Sequence, residues 1–279
     1  PNFSDYADYL HENLPAQAEL DLQREKPLNP APLVSVAIAC SGASRAAVRS
    51  TLEALGKQTY ANFEVCLVSE LAQAGLTDYE GIPKFRLVLF NGTAHEQLKA
   101  AEKMLNGAYF LQLLPGDLPA PDALHMLVLQ THANPEAEVV FADEDSVIDG
   151  IRQNPIFKPD YGRDTLRSFN SIGRPMLVSK RVHTAVGGFR GSTPAELWAY
   201  CIDCASAAKQ VIHIARIGLT VIRDCDGSEI PCTDILKREF NSLYPGDGSG
   251  KKNRTNGCCF EGSVLGTLRM RYPRKREPS

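Results

Sequence analysis

The sequence predicts an α/β fold in which helices flank a mostly parallel central sheet. Short runs rich in valine, isoleucine and leucine alternate with segments whose apolar residues recur at helical spacing. This alternation is typical of right-handed crossover units, which place successive strands side by side in one sheet. The chain of 279 residues is long enough for one large domain or two small ones.

The predicted strands are short apolar runs that end at turn-forming residues. The first, LVSVAIAC at 33–40, lies between Pro32 and the pair Ser41 and Gly42. Its shortness and its content of β-branched residues favour a strand over a helix. The remaining runs are 63–68, 85–90, 109–114 and 138–142.

Helices are predicted between these strands from their capping residues. Ser44 is a suitable N-cap for a helix that stops at Gly56. Thr93 and Glu96 have the spacing of a capping box, in which each side chain accepts a hydrogen bond from the other residue's backbone N–H. A further helix, before the fifth strand, would turn Leu124 toward the sheet.

Composition and charge argue against two classes of protein. Thirty basic and thirty-three acidic side chains give a net charge of −3, which does not indicate a nucleic-acid partner. The longest apolar run is shorter than the roughly 20 residues of a membrane-spanning helix. The N-terminal region lacks the pattern of a secretory signal. We therefore expect a cytoplasmic protein, with peripheral association at the inner membrane as an alternative.

Three regions are expected along the chain. Residues 1–32 would form a helix and a lead-in, 33–225 the α/β domain, and 226–279 a C-terminal extension with a basic linker. The segment 251–279 contains eight Lys or Arg and two Glu. This end of the chain is either a solvated linker or a tail that contacts phosphates or an anionic membrane surface.

The eight cysteines do not form a clear metal-binding pattern. Cys201 and Cys204 make a C-x-x-C within a helix-like segment, but Cys225 and Cys232 are separated by six residues. Structural zinc sites use two closely spaced pairs. Zinc binding is therefore kept only as an alternative.

Polar residues follow several of the predicted strands. Ligands of open α/β sheets bind beyond the carboxyl ends of the strands, so these positions are site candidates. The sequence has neither a G-x-G-x-x-G after the first strand nor a phosphate-binding P-loop, which argues against dinucleotide-dependent oxidoreductases and P-loop enzymes. The candidates are Ser41, Glu70, Asp117 and the acidic run Asp143, Glu144 and Asp145.

The acidic run admits two interpretations. Three adjacent carboxylates repel one another, which favours a cation, a basic neighbour or a polar ligand beside them. Alternatively, Asp145 caps a helix or loop, and KPD at 158–160 forms a turn fixed by its proline.

Two other residues are expected to be structural: Trp198 in the core and His213 in a strand.

Several blocks of the sequence, in order, resemble family-two glycosyltransferases of the bacterial surface-polysaccharide type, which includes rhamnosyltransferases and O-antigen enzymes. QTYANFEV at 58–65 is similar to that family's second strand. FADEDSVIDG at 141–150, FKPDYGRDTLRSFNSIG at 157–173 and VGGFR at 186–190 resemble three later blocks. The resemblance covers most of the chain, and it implies a nucleotide-diphospho-sugar transferase fold of the glycosyltransferase A type.

The resemblance also implies a site and a reaction. The protein would bind a nucleotide diphosphate sugar and a glycan acceptor, and it would transfer the sugar by inverting displacement. Mg²⁺ or Mn²⁺ would be needed if the protein is an active transferase, because a divalent cation neutralises the departing diphosphate; otherwise no cofactor is expected. The implied residues are Glu196 as general base, Asp117 as metal ligand, and Cys40, Ser41, Glu70, Asp117, Asp143, Glu144 and Asp145 as nucleotide-sugar contacts.

The motifs that carry this chemistry are degenerate. Where the family has Asp-x-Asp-Asp after the fourth strand, this chain reads LPGD, which leaves Asp117 as the only carboxylate. The nucleotide-contacting motif after the second strand is reduced to Glu70, and the late acidic pair is reduced to Glu196. Two hypotheses follow: an active transferase, or a non-catalytic module that binds acceptor or braces a catalytic neighbour. The resemblance further implies a second glycosyltransferase domain in a longer parent protein.

Overall fold

A computed structural model describes residues 3–70, 82, 84–222, 258–261 and 268–271 of the chain, with side chains for 6–70, 82 and 84–222. The predicted extension 226–279 lies largely outside these residues. Its described parts are two strands, β10 (Cys258–Glu261) and β11 (Leu268–Arg271), which pair antiparallel. Within the described residues, no helix combines the length and apolar character needed to cross a membrane.

The remaining described residues form a nine-stranded sheet with helices on its two faces. The strands are β1 (Val34–Ala39), β2 (Phe63–Ser69), β3 (Phe85–Leu89), β4 (Tyr109–Leu113), β5 (Asp117–Pro119), β6 (Ala137–Ile148), β7 (Ile151–Ile156), β8 (Met176–Ser179) and β9 (Gln210–Ile222). The helices are α1 (Phe3–Asn13), α2 (Gln17–Glu25), α3 (Arg45–Leu55), α4 (Ala94–Glu102), α5 (Ala123–Ala133), α6 (Arg163–Ser168), α7 (Lys180–Ala185) and α8 (Pro194–Ala207).

The sheet has a parallel half and a mixed half. Its strand order is β3-β2-β1-β4-β8-β6-β9-β5, and β7 pairs with β6 outside this path. The first four strands of the order are parallel to one another. β8 joins the halves antiparallel to both β4 and β6, whereas β6 and β9 are parallel. The predicted α/β class, with a largely parallel sheet flanked by helices, is confirmed.

Alternating side chains of the strands build one core on each face of the sheet. In β1, Val36 and Ile38 belong to a cluster with Leu52 of α3 and Leu124 of α5. The intervening alanines face the opposite cluster, which contains residues of α4 and α8, Trp198 among them. Because both faces of the parallel strands are covered, these strands are mostly apolar and do not alternate regularly between apolar and polar residues.

Local capping signals in the sequence are confirmed. The Ser44 side chain accepts a hydrogen bond from the backbone N–H of Ala47 at the start of α3. Thr93 and Glu96 form the predicted capping box of α4. An N-cap interaction depends only on residues within one helical turn, so the sequence alone suffices to predict it.

One predicted boundary at the candidate site is wrong. The fifth predicted strand was expected to end at 142, but β6 continues to Ile148 and contains Asp143, Glu144 and Asp145. The acidic run has no hydrophobic periodicity, yet it pairs with β9, with register shifts around 142–144. Asp117 closes a turn over 114–117, in which its backbone N–H donates to the carbonyl oxygen of Leu114 at 3.0 Å, and it also begins β5, which pairs antiparallel with β9.

Candidate functional site

Asp117 lies just beyond the carboxyl end of β4, and Arg174, which precedes β8, binds it through two hydrogen bonds. Nε of Arg174 is 2.8 Å from Oδ2 of Asp117, and Nη2 is 3.0 Å from Oδ1. The backbone N–H of Leu114 also donates to Oδ2, at 2.8 Å. The Asp117 side chain is 1% exposed. Both oxygens of this carboxylate are therefore used within the protein.

Glu144 lies beside a second buried cation, Lys158. Nζ of Lys158 is 3.1 Å from Oε2 of Glu144, and it donates to the carbonyl oxygens of Ala142 and Arg174, each at 2.7 Å. The backbone N–H of Arg174 donates to the same Glu144 oxygen at 3.2 Å. Burial alone would raise the pKa of Glu144, but the charges of Lys158 and Arg174 outweigh it and lower the pKa below its ordinary value.

Asp143 is held from two sides. Its Oδ1 accepts a hydrogen bond from the backbone N–H of Lys158 at 2.8 Å and lies 2.8 Å from Nε2 of His213. The other ring nitrogen of His213 is 3.3 Å from Oδ1 of Asp160, and the ring stacks on Phe141. As predicted, His213 is a strand residue with hydrogen-bond partners. The KPD segment therefore supplies the buried cation Lys158 beside Glu144 and a backbone hydrogen bond to Asp143.

Asp145 connects the N-terminal helix to the sheet. The Tyr6 hydroxyl of α1 donates to its Oδ2 at 2.6 Å, and Nε of Arg152 donates to the same oxygen at 2.8 Å. Burial and the hydrogen bond to Asp145 raise the pKa of Tyr6. The interpretation of Asp145 as a helix or loop cap is wrong, because the residue lies inside β6 and binds a helix distant in sequence.

Glu196, the candidate base, is the third helical residue of α8 and closes its capping box. Its Oε2 accepts hydrogen bonds from the backbone N–H groups of Ser192 at 3.1 Å and Thr193 at 3.0 Å. The Thr193 side chain in turn accepts from the Glu196 backbone N–H. The carboxylate thus satisfies donors at the start of the helix.

Three other candidates lie at the ends of β1 and β2. Cys40 is buried, and burial raises the pKa of its thiol to about 12. The backbone N–H groups of Cys40 and Ser41 both donate to Oε1 of Gln97, each at 2.9 Å. Glu70 follows β2, the neighbour of β1, and is half-buried. The sheet therefore brings Ser41 and Glu70 to the same edge.

A small hollow adjoins Arg174. It has a volume of about 10 Å³ and is lined by Gln112, Gly173, Arg174, Met176, Leu197, Tyr200 and Cys201. That is room for about one water molecule. Pockets that enclose a whole small-molecule ligand measure roughly 300–1,000 Å³.

The basic partners of the acids were not predicted as site residues. Arg174 and Arg152 were not singled out, and Lys158 was interpreted as part of a turn. The one available signal was the acidic run itself, because buried carboxylates require cationic or hydrogen-bonding partners. That signal predicts a partner without saying which of the basic residues supplies it.

The cysteines of α8 do not form a metal site in the described part of the chain. Cys201 and Cys204 are buried free thiols, and burial raises the pKa of Cys201 to about 12. No group of three or more His, Cys, Asp or Glu residues that could hold a metal ion occurs among the described residues. Cys225 and Cys232 lie outside them.

Two curated proteins match the chain in sequence. An uncharacterized protein, y4gI, of Sinorhizobium fredii is 31% identical over 199 residues, which are 67% of this chain and 22% of that protein. The O-antigen biosynthesis protein RfbC of Myxococcus xanthus is 26% identical over 226 residues, 77% of this chain and 18% of that protein. The chain thus spans less than a quarter of either relative. No family model matches it.

Solved structures of S. aureus TarS share the fold. TarS 1–349 in complex with UDP-GlcNAc superimposes with a TM-score of 0.59 at 13% identity, over 75% of this chain and 65% of that one. The complex with UDP gives a TM-score of 0.56, also at 13% identity, over 77% and 66% of the two chains. At this identity the likeness concerns the fold alone.

Proposed function

We propose that this chain, which has the fold of a family-two-like glycosyltransferase and a distant O-antigen biosynthesis relative, is a module of surface-polysaccharide synthesis that does not itself perform metal-dependent sugar transfer. It would hold the glycan acceptor or brace a catalytic domain within a longer protein. The observation that carries this proposal is the pairing of Asp117 with Arg174 where the resemblance implies a metal ligand.

The residues at this position do not fit a divalent cation. Mg²⁺ and Mn²⁺ bind through oxygens whose lone pairs face the ion. Asp117 directs both of its oxygens to Arg174 and Leu114. Glu144, the neighbouring acid, is paired with Lys158. Two cations of the chain thus already neutralise the carboxylates that would attract the ion, and we propose that the module needs no metal cofactor.

The position of Glu196 supports the same proposal. A general base must stand within hydrogen-bond reach of the acceptor hydroxyl and take its proton. Here one carboxylate oxygen caps the N-terminus of α8 through two backbone N–H groups. An active inverting transferase with Glu196 as base and Asp117 as metal ligand is therefore less well supported than the non-catalytic module.

The context of the module is proposed from its relatives. One match is an O-antigen biosynthesis protein, and both relatives are several times longer than the chain. We infer that the module works beside a second glycosyltransferase domain. A cytoplasmic location, with peripheral attachment to the inner membrane, fits a role in surface-glycan assembly. The TarS complexes make UDP and UDP-GlcNAc reasonable probes of the site.

Calorimetric titration tests the proposal. The purified chain is titrated with UDP and UDP-GlcNAc, once with Mn²⁺ and once with EDTA, and UDP release from UDP-GlcNAc is measured in parallel. We expect the affinity to be independent of Mn²⁺ and turnover to be absent. Tight Mn²⁺-dependent binding that Asp117→Ala abolishes and the exposed control Asp164→Ala preserves would overturn the proposal, as would turnover.

The bracing role has its own test. The segment is deleted from the parent protein, and product formation by the remaining domains is measured. Impaired product formation is expected, whereas normal product formation would contradict bracing. If bracing is contradicted in this way, the role of holding the acceptor would stand only if the isolated segment binds the glycan.

A further inference from the structure

We propose that Arg174 gives this module a metal-independent contact for a phosphate or diphosphate group. This contact rests on the proposed function only in that the ligand would bind at the same end of the sheet. The ligand would be a phosphate or a diphosphate.

The hydrogen bonds of Arg174 leave one edge of its guanidinium available. A guanidinium has five N–H donors, and its flat edges match pairs of phosphate oxygens. Asp117 occupies the edge formed by Nε and Nη2. Nη1 makes no hydrogen bond to any described residue, so the edge formed by Nη1 and Nη2 remains for a second bidentate contact.

Arg174 is also held in place before a ligand arrives. Asp117 fixes the guanidinium and is itself fixed by the Leu114 N–H. The Arg174 backbone is bound at both ends, since its N–H donates to Glu144 and its carbonyl accepts from Lys158. A side chain that is already ordered loses little conformational entropy on binding. The pairing with Asp117 therefore orients Arg174 as well as neutralising it.

The location suits a ligand. Asp117 follows β4, one of the parallel strands whose carboxyl ends are the usual ligand side of such sheets. The Asp117 side chain is 1% exposed, whereas that of Arg174 is 19% exposed and reaches the surface. Arg174 lines the hollow, which has room for about one water molecule. One phosphate oxygen would enter the hollow while the rest of the group stays at its mouth.

The charges predict the character of the contact. Asp117 cancels most of the charge of Arg174, and Glu144 cancels that of Lys158. Attraction of an anion from a distance is therefore weak, and recognition depends on the geometry of the hydrogen bonds. We expect affinity in the millimolar range and a strong dependence on the planar fork of arginine, which lysine lacks.

The test uses inorganic pyrophosphate and UDP as probes in EDTA, with binding followed by phosphorus NMR line broadening and by calorimetry. Wild-type protein should bind pyrophosphate without metal. Arg174→Lys and Arg174→Gln should each weaken this binding at least about tenfold, the loss of one good bidentate contact. Arg49→Lys, at an exposed arginine in α3, is the control and should leave binding unchanged. Circular dichroism checks that each variant is folded.

The outcomes separate the possible sources of the phosphate. Arg174-dependent binding of both probes supports a nucleotide diphosphate, whereas binding of pyrophosphate alone supports a diphosphate on another carrier, such as the glycan acceptor. Absence of pyrophosphate binding by the wild type, or equal binding by a folded Arg174→Lys variant, would overturn the inference and leave the proposed function intact. Mn²⁺-dependent turnover would overturn the proposed function, whereas the phosphate contact of Arg174 is judged separately by pyrophosphate binding in EDTA.

Discussion

Nζ of Lys158 lies 3.1 Å from Oε2 of Glu144, and both side chains are largely removed from water. Removing one member of a buried ion pair leaves the other charge without compensation. Lys158→Met should therefore lower the free energy of unfolding by about 3–5 kcal/mol, as measured by urea denaturation. The double variant Lys158→Met/Glu144→Gln should recover much of that loss. If the double variant is no more stable than Lys158→Met alone, the pair does not explain the burial of Lys158.

The same pair predicts a loss of stability in acid. The pKa of Glu144 in the folded protein lies below its ordinary value of 4.5. The unfolded chain therefore takes up the proton first as the pH falls, and the contribution of Glu144 is fully present above pH 4.5 and lost as the pH drops through the folded pKa. Urea unfolding between neutral and acidic pH should show this decline. Glu144→Gln should be less stable at neutral pH and should lose less stability in acid; a decline as steep as that of the wild type would contradict the prediction.

Glu196 should behave as a capping residue. Glutamine can fill the same position of a capping box, but alanine cannot. Glu196→Ala should lower the free energy of unfolding by roughly 1 kcal/mol, the scale of a lost N-terminal cap, and Glu196→Gln should have little effect. Glu96→Ala, in the matching capping box of α4, is the control and should destabilise in the same direction. If Glu196→Gln abolished a sugar transfer that the wild type performs, Glu196 would be the base instead.

The glycine pair of the VGGFR block offers another matched comparison. Gly187 and Gly188 have nearly equal positive φ angles, 81° and 82°. A Cβ at Gly187 would meet nothing within 4 Å, whereas one at Gly188 would lie 2.2 Å from Oε1 of Glu102. That carboxylate accepts hydrogen bonds from Lys99 and Phe189 and lies 3.3 Å from His183 Nε2.

Alanine at either glycine should cost about 1–2 kcal/mol for its backbone conformation. Gly188→Ala should cost at least about 1 kcal/mol more, because it displaces Glu102 from hydrogen-bond partners. Urea unfolding of the two variants measures the difference. Equal losses would show that Glu102 moves aside without penalty.

Features that depend on neighbouring residues could be predicted from the sequence. The strands 33–40 and 63–68 were predicted from their apolar runs and match β1 and β2 closely. The capping box of α4 was predicted from the spacing of two residues. By contrast, the end of β6 was misplaced, because the acids that continue the strand are stabilised by partners distant in the chain.

By itself, the sequence determined the α/β class, the order of the elements and the presence of carboxylates near the ends of the strands, because periodicity and capping act over a few residues. Only the tertiary structure decided which charges meet. Arg174 and Asp117 are 57 positions apart, and they come together because β8 enters the sheet beside β4 while β5 pairs with β9. An ion pair of this kind depends on the arrangement of strands, which is a property of the whole chain. That arrangement brings Asp117 to an arginine at the position where the resemblance implies a metal ligand.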